Sequence, residues 1–156
     1  ENSGYAEFTP LSAHTKIERL AHHAKTYGIA SSTVDGNDLL AVRSATSKAI
    51  EIARAGKGPV FIECLTHRLR GHYEGDPAKY RELSQLSEWK KKDPIARFAR
   101  LLKIKKMMTD EGLRTIESEA RARVEEAAEF SLSSAWPASE EVATQVTRID
   151  GETFFS

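Results

Sequence analysis

A chain of 156 residues is long enough for one domain with a real core, or for one domain plus a helical tail. Its residues are 40% hydrophobic and 29% charged, as in an ordinary soluble globular protein, and 23 acids balance 23 bases, so the basic excess of a general nucleic-acid binder is absent. No apolar run approaches the roughly 20 residues of a membrane helix and no signal peptide is visible, so neither nucleic acid nor membrane is an expected partner.

The chain opens "ENSGYAEFTP" with Glu1 rather than Met and without helix or strand pattern, which leads us to expect that processing or truncation removed an upstream stretch. In "HTKIERLAHHAKTYG", Ile17, Leu20, Ala21 and Ala24 recur at helical spacing before Gly28, a C-terminal cap, and predict a helix over about 13–26. His22 and His23 read as a solvated pair, because adjacent helical residues do not share a face for one metal. "IASSTVDG", residues 29–36, is short and β-prone. Asn37 or Asp35 then offers a cap for "DLLAVRSATSKAIEIARA", whose Leu39, Val42, Ala45, Ala49, Ile50 and Ala53 form one apolar side. Gly56 and Gly58 end this helix, and Pro59 to Leu65 is an apolar run of the length of a strand buried on both faces. The single cysteine, Cys64, lies in that run and reads as a buried structural thiol with no internal disulfide partner; a cytoplasmic location is expected.

Helix, strand, helix, strand is the order of an α/β fold with parallel strands and right-handed crossovers. In open sheets of this kind ligands bind beyond the carboxyl ends of the strands, and there the sequence turns abruptly to charge: "THRLRGHYEGDPAKYR", residues 66–81. In an extended chain, Arg68, Arg70 and His72 point the same way. Two guanidinium groups beside an imidazole suit a phosphate or diphosphate, with a histidine in reach for proton transfer, and Gly71 and Gly75 let the backbone bend. Two other readings stay open on the residues alone. The arginines can pair with Glu74, Asp76 and Glu82 on a surface loop, or His67, His72, Glu74 and Asp76 can gather round a metal, although their spacing matches no zinc signature.

Beyond the loop, "DPIARFARLLKIKKMM" places Pro94 at a helix start with Ile95, Phe98, Leu101 and Leu102 on one side. Thr109 or Asp110 caps a long amphipathic helix at about 110–130, with i,i+4 charge pairs such as Glu117–Arg121. "PASEEVATQV" is a further short helix, and "TRIDGETFFS" is a loose or docked tail. The lysines of 90–92 and 103–106 read as solvated faces.

Taken together, "ENSGYAEFTP", "TVDGNDLLAV", "GKGPVFIECLTHRLRGHYEGDPAKYR" and "KKDPI" resemble, in order and spacing, the alpha subunit of thiamine-diphosphate-dependent dehydrogenases, the first components of acetoin and 2-oxo acid dehydrogenase complexes. The resemblance runs from residue 1 to about 145 and covers only the C-terminal half of such a subunit. It implies a partial parallel-sheet thiamine-diphosphate-binding fold over 1–93, with a cofactor loop at 66–93, followed by a helical arm and tail over 94–156. It implies thiamine diphosphate and Mg²⁺ as cofactors. Arg68 and His72 fall on the diphosphate-binding arginine and histidine, and His72 on the residue that also assists proton or acyl transfer. Asn2-Ser3-Gly4-Tyr5 matches an Asn-Asn-x-Tyr stretch: the metal-ligating asparagine falls on Ser3, the carbonyl ligand on Tyr5, and Asn2 stands beside them in the metal segment. Asp76, Tyr80 and Arg81 match positions that order the loop, and Tyr73 stands where mitochondrial relatives carry a phosphorylated serine.

"GHYEGDP" leans toward the acetoin-cleaving branch, which passes an acetyl unit to lipoamide; a pyruvate or branched-chain 2-oxo acid dehydrogenase is the enzyme alternative, and a helical assembly or docking module the non-enzyme one. The implied partners are a beta subunit, in an assembly of two alpha and two beta chains, and a lipoyl-bearing acyltransferase. The family's Gly-Asp-Gly metal motif occurs nowhere in 1–156, so a fragment inactive by itself is expected.

Overall fold

The computed structural model describes residues 1–141. The chain divides after Met108 into two compact units, the first being Glu1–Met108.

The first unit is α/β. A small antiparallel pair, β1 (Tyr5–Ala6) and β2 (Thr9–Pro10), precedes two short helices, α1 (Leu11–His14) and α2 (Ala21–Thr26). Strand β3 (Ala30–Asp35) then runs through helix α3 (Leu39–Arg54) into strand β4 (Val60–Leu65). The two strands pair in parallel with Ala30 opposite Val60 and Asp35 opposite Leu65, so both carboxyl ends open on the same side. Asn2 bridges to Leu65 in parallel on the other edge of β4.

The helix expected over 13–26 is two helices with a break between them. Thr15 is extended, and its Oγ1 accepts the Ile17 backbone N–H at 3.0 Å, a local bond that competes with helix formation. Further on, the Leu20 and Ala21 amides donate to the Glu63 carboxylate. Helix α3 keeps the expected length, but neither Asn37 nor Asp35 caps it. Asp38 does, its Oδ1 accepting from the Leu40 and Ala41 amides at 3.0 Å each. Asp35 is spent on the Asn37 amide and on Arg97, and Asn37 is buried.

Strand β4 is less covered than its apolar run suggests: Phe61 is exposed, Cys64 half-buried, and the one fully buried residue is the charged Glu63. Among the described residues only Ala21 and Ala24 are buried apolar side chains. Gly36 marks the tightest backbone approach. A Cβ there would lie 2.8 Å from the Leu65 carbonyl oxygen and 3.1 Å from Cys64 Cβ.

After the charged loop come α4 (Leu83–Lys90), a helix within the span 66–93 expected as loop, and α5 (Pro94–Ile104). Asp93 caps α5 at the Ile95 and Ala96 amides, with Pro94 in its first turn.

The second unit begins with α6 (Asp110–Ser133), capped by Thr109 through the Gly112 amide at 3.0 Å. Glu117 and Arg121 on its exposed surface form no ion pair. From residue 142 onward, the short helix expected over 137–146 and the tail 147–156 lie outside the described residues. No helix among the described residues is long and apolar enough to cross a membrane.

Candidate functional site

The charged stretch leaves the carboxyl end of β4, but not as an extended strand. Residues 66–82 fold back through bends and turns, so alternation does not set their directions. Arg68 and His72 still meet. Arg68 Nη1 lies 2.9 Å from His72 Nδ1 and donates to the His72 carbonyl at 3.2 Å. A guanidinium only donates, so Nδ1 accepts and the remaining ring proton sits on Nε2. Arg70 departs from this pair: it faces Glu74 at 3.8 Å on an exposed surface, as the surface-loop reading has it for that arginine.

Asp76 is the hub of the loop. Its carboxylate accepts from the His72 amide at 2.6 Å, the Ala78 amide at 2.8 Å and the Tyr80 hydroxyl at 2.8 Å. The His72 amide in particular holds its carboxyl below the ordinary value of 3.8, and the loss of surrounding water together with the Asp76 bond pushes Tyr80 up. Gly71 packs on the same carboxylate: a Cβ there would lie 2.5 Å from Asp76 Cβ. Arg81 closes the loop from below, donating through Nη1 to the Arg68 and Arg70 carbonyls at 2.6 and 2.8 Å. Its guanidinium also lies over the Tyr5 and Tyr80 rings, 5.4 and 5.2 Å from their centroids.

An aromatic floor joins the loop to the amino-terminal segment. Phe8 meets His72, Tyr73 and Tyr80 edge-on, and Tyr5 meets Tyr80 and His67. His67 stacks flat on Trp89 of α4 at 5.4 Å. Loss of water around His67, and then the Arg81 charge, lower its pKa below 6.5. With His67 on Trp89 and His72 on Arg68, the four-residue metal cluster does not form; among the described residues no three His, Cys, Asp or Glu side chains come together around an ion.

Asn2, Ser3 and Tyr5 line an open cleft of about 570 Å³ with Thr66, His67 and Trp89. Both ends of the Asn2 amide are engaged. Its Nδ2 donates to Glu63 Oε1 at 2.6 Å, and its Oδ1 accepts from the Gly4 amide at 2.9 Å. The Ser3 hydroxyl and Tyr5 carbonyl are hard neutral oxygens of the kind Mg²⁺ takes, so the charge of an ion there would be matched by a diphosphate. Arg68 is exposed, and among the described residues no hydrogen bond uses its Nη2; a cation with one fork nitrogen free beside a histidine fits a diphosphate.

Two residues hold buried polar roles that the sequence reading did not anticipate. Glu63 is 2% exposed and accepts four bonds: from Asn2, from the Leu20 and Ala21 amides, and from Thr33 Oγ1 at 3.0 Å. Burial pushes its carboxyl up, but these donors outweigh that and hold it below 4.5. Its signal was a single carboxylate inside an apolar strand. Asn37 takes the Thr66 hydroxyl on Oδ1 at 2.8 Å and gives Nδ2 to the Lys92 carbonyl at 2.9 Å, tying the end of β3 to the segments flanking the loop.

An α/β chain with this charged loop at the carboxyl end of a parallel strand matches one family along nearly its whole length: over residues 1–140 it fits the model for the dehydrogenase E1 component, and it belongs to that family. Its curated relatives are alpha subunits. It is 39% identical over 147 residues to the alpha subunit of an acetoin:2,6-dichlorophenolindophenol oxidoreductase of Bacillus subtilis (strain 168), covering 94% of this chain and 44% of the relative. It is 35% identical over 147 residues to a pyruvate dehydrogenase E1 component subunit alpha of Rhizobium meliloti (strain 1021), covering 94% and 42%. To the corresponding subunit of Staphylococcus epidermidis it is 41% identical over 133 residues, covering 81% and 36%. The chain thus spans less than half the length of the curated relatives it matches.

Proposed function

We propose that this chain is the diphosphate-binding portion of the alpha subunit of a thiamine-diphosphate-dependent dehydrogenase that cleaves acetoin and passes the acetyl unit to lipoamide. The observation that carries the reading is the Arg68–His72 pair, held by Asp76 and Arg81 at the carboxyl end of β4 in a chain of the dehydrogenase E1 family. In this reading residues 1–93 are part of the thiamine-diphosphate-binding fold, 66–93 its cofactor loop, and 94–156 a helical arm and tail. Arg68 binds the diphosphate. His72 contacts it and moves a proton through its ring. Ser3 and Tyr5 face Mg²⁺ with oxygen, and Asp76, Tyr80 and Arg81 keep the loop ordered. Thiamine diphosphate, when bound, supplies the stabilised carbanion that carbon–carbon cleavage needs.

The partners in this reading are the beta subunit, in an assembly of two alpha and two beta chains, and a lipoyl-bearing acyltransferase, in the cytoplasm. The many exposed apolar side chains, Leu39, Leu40, Phe61 and Ile104 among them, support assembly with further chain. A second substrate reading is favoured by the relatives themselves, since pyruvate dehydrogenase subunits match at 35–41% identity, level with the acetoin enzyme.

The complete subunit, assembled with its beta partner, is the sample to test. Turnover of acetoin well above that of pyruvate supports the first reading, and the reverse order supports the second. Arg68→Ala and His72→Ala are each expected to weaken thiamine diphosphate binding about tenfold or more, in line with the loss of a charge-assisted contact. Unaltered cofactor affinity and activity in both variants would instead identify a docking or assembly module.

A further inference from the structure

We propose that Glu63 is a positioning residue for the ion–diphosphate site: acting through the side chain of Asn2, it sets the turn that carries the Ser3 hydroxyl and the Tyr5 carbonyl. The inference rests on the reading of the site given above.

A carboxylate buried in a strand is costly unless its lone pairs are satisfied. Glu63 has four donors and no cation: Asn2 Nδ2 and the Leu20 amide on Oε1, the Ala21 amide and Thr33 Oγ1 on Oε2. Three of these come from the framework and fix the carboxylate in place. The fourth reaches the cleft segment. Because a carboxylate only accepts, it fixes which end of the Asn2 amide faces it: Nδ2 must point inward at Glu63, and Oδ1 must point forward. Oδ1 then accepts from the Gly4 amide, closing a turn over Ser3, with Gly4 at φ 77°. The Asn2 backbone is meanwhile pinned on both sides, its N–H to the Cys64 carbonyl at 2.8 Å and its carbonyl to the Thr66 amide at 3.0 Å. The Leu11 amide holds the far end of this turn at the Gly4 carbonyl, 2.8 Å away, and the Asn2 side chain links its near end to the core, where Glu63 decides how that side chain is set. Asn2 transmits orientation in this scheme and does not itself ligate.

The test is a calorimetric titration of Mg²⁺ into the complete assembled enzyme at saturating thiamine diphosphate, for Glu63→Gln, Asn2→Asp and the double variant, with thermal melting run alongside. Loss of an outer-shell partner costs about 10- to 100-fold in metal affinity, so each single variant is expected to raise half-saturating Mg²⁺ by at least about tenfold. The double variant is expected to be no worse than the weaker single one, because both changes cut the same link. Unchanged Mg²⁺ affinity in Glu63→Gln, with only a lower Tm, makes the residue purely structural and overturns the proposal. Tighter Mg²⁺ binding in Asn2→Asp overturns it as well, since that is what direct ligation by position 2 gives. Should Glu63→Gln fail to fold, Asn2→Asp decides by itself, because Asp keeps the oxygen that faces Gly4 and replaces the donor that faces Glu63 with an acceptor that the Glu63 carboxylate repels. Failure of the site reading has a different signature: the unsubstituted enzyme fails to take up thiamine diphosphate with Mg²⁺, or Arg68→Ala takes it up equally well, and the role of Glu63 then falls with it.

Discussion

Arg97 Nη2 lies 2.6 Å from Asp38 Oδ2, while the other oxygen of the same carboxylate caps α3. Nη1 of the same guanidinium sits 2.6 Å from Asp35, so one arginine on α5 spans the end of β3 and the start of α3. Its hydrogen bond is the main reason the Asp35 carboxyl is held below 3.8. Asp38→Ala is expected to cost about 1–2 kcal/mol, the loss of an N-cap together with one ion-pair partner. Asp38→Asn keeps the cap oxygen and should recover most of that loss. Arg97→Lys should lower Tm, because an ammonium cannot fork across two carboxylates. Urea unfolding of the three variants checks the order.

Asn37 is 6% exposed and joins three segments that are distant in sequence. Asn37→Ala strands the Thr66 hydroxyl and the Lys92 carbonyl and is expected to cost about 1–3 kcal/mol. Asn37→Asp keeps the acceptor and loses the donor, so it should fall between alanine and wild type at neutral pH. Chemical denaturation with unchanged m-values would show that stability alone has moved.

The Glu63 carboxyl is held below its ordinary value of 4.5 in the folded chain. Its contribution to stability is therefore complete above about pH 4.5 and is lost as pH falls through the lower folded value. Unfolding free energies measured from about pH 6 to about pH 3 should show a steeper acid loss for wild type than for Glu63→Gln, the two curves converging at the acid end. Parallel curves would assign the acid loss to other groups.

Asp76 accepts three bonds from residues no more than four positions away, two of them from backbone amides. Asp76→Ala should open the loop while leaving β3 and β4 intact. Hydrogen exchange is the measurement: amides of the loop should lose about tenfold in protection, with none lost in the strands. Gly71→Ala, which drives a methyl against the Asp76 side chain, should give the same local pattern.

The α/β order, α3, α6 and the helix start at Pro94 were legible because each rests on local pattern: apolar spacing, a capping side chain, a glycine or a proline at the boundary. What escaped was set by partners far along the chain. The break before α2 depends on Glu63, 42 positions beyond Ala21, and no window around residue 20 contains that information. The cap of α3 fell to Asp38, directly before the helix, while Asp35 ends β3 and is taken by the Asn37 amide and by Arg97, 62 positions on. Of the site, Arg68 and His72 were expected to meet by strand alternation. They do meet, four residues apart, but across a turn stabilised by Asp76, and the same turn sends Arg70 away. Asn2, expected in the metal segment, lies there beside Ser3, and its bonds to Glu63 and Gly4 were not legible because Glu63 is 61 positions away.

Arg68 does not wait with an empty hand. Its Nη1 already holds the His72 ring and carbonyl, and Arg81 fixes its own carbonyl. In the diphosphate-binding reading, a ligand that takes Nη1 as well as the free Nη2 displaces partners of moderate strength, so a neutral group gains little by the exchange, whereas a doubly charged anion replaces them with stronger ones. In that reading the contact acts as a threshold that ranks visitors by charge density. Because the loop is cross-tied before anything arrives, crossing that threshold takes little further loss of chain freedom.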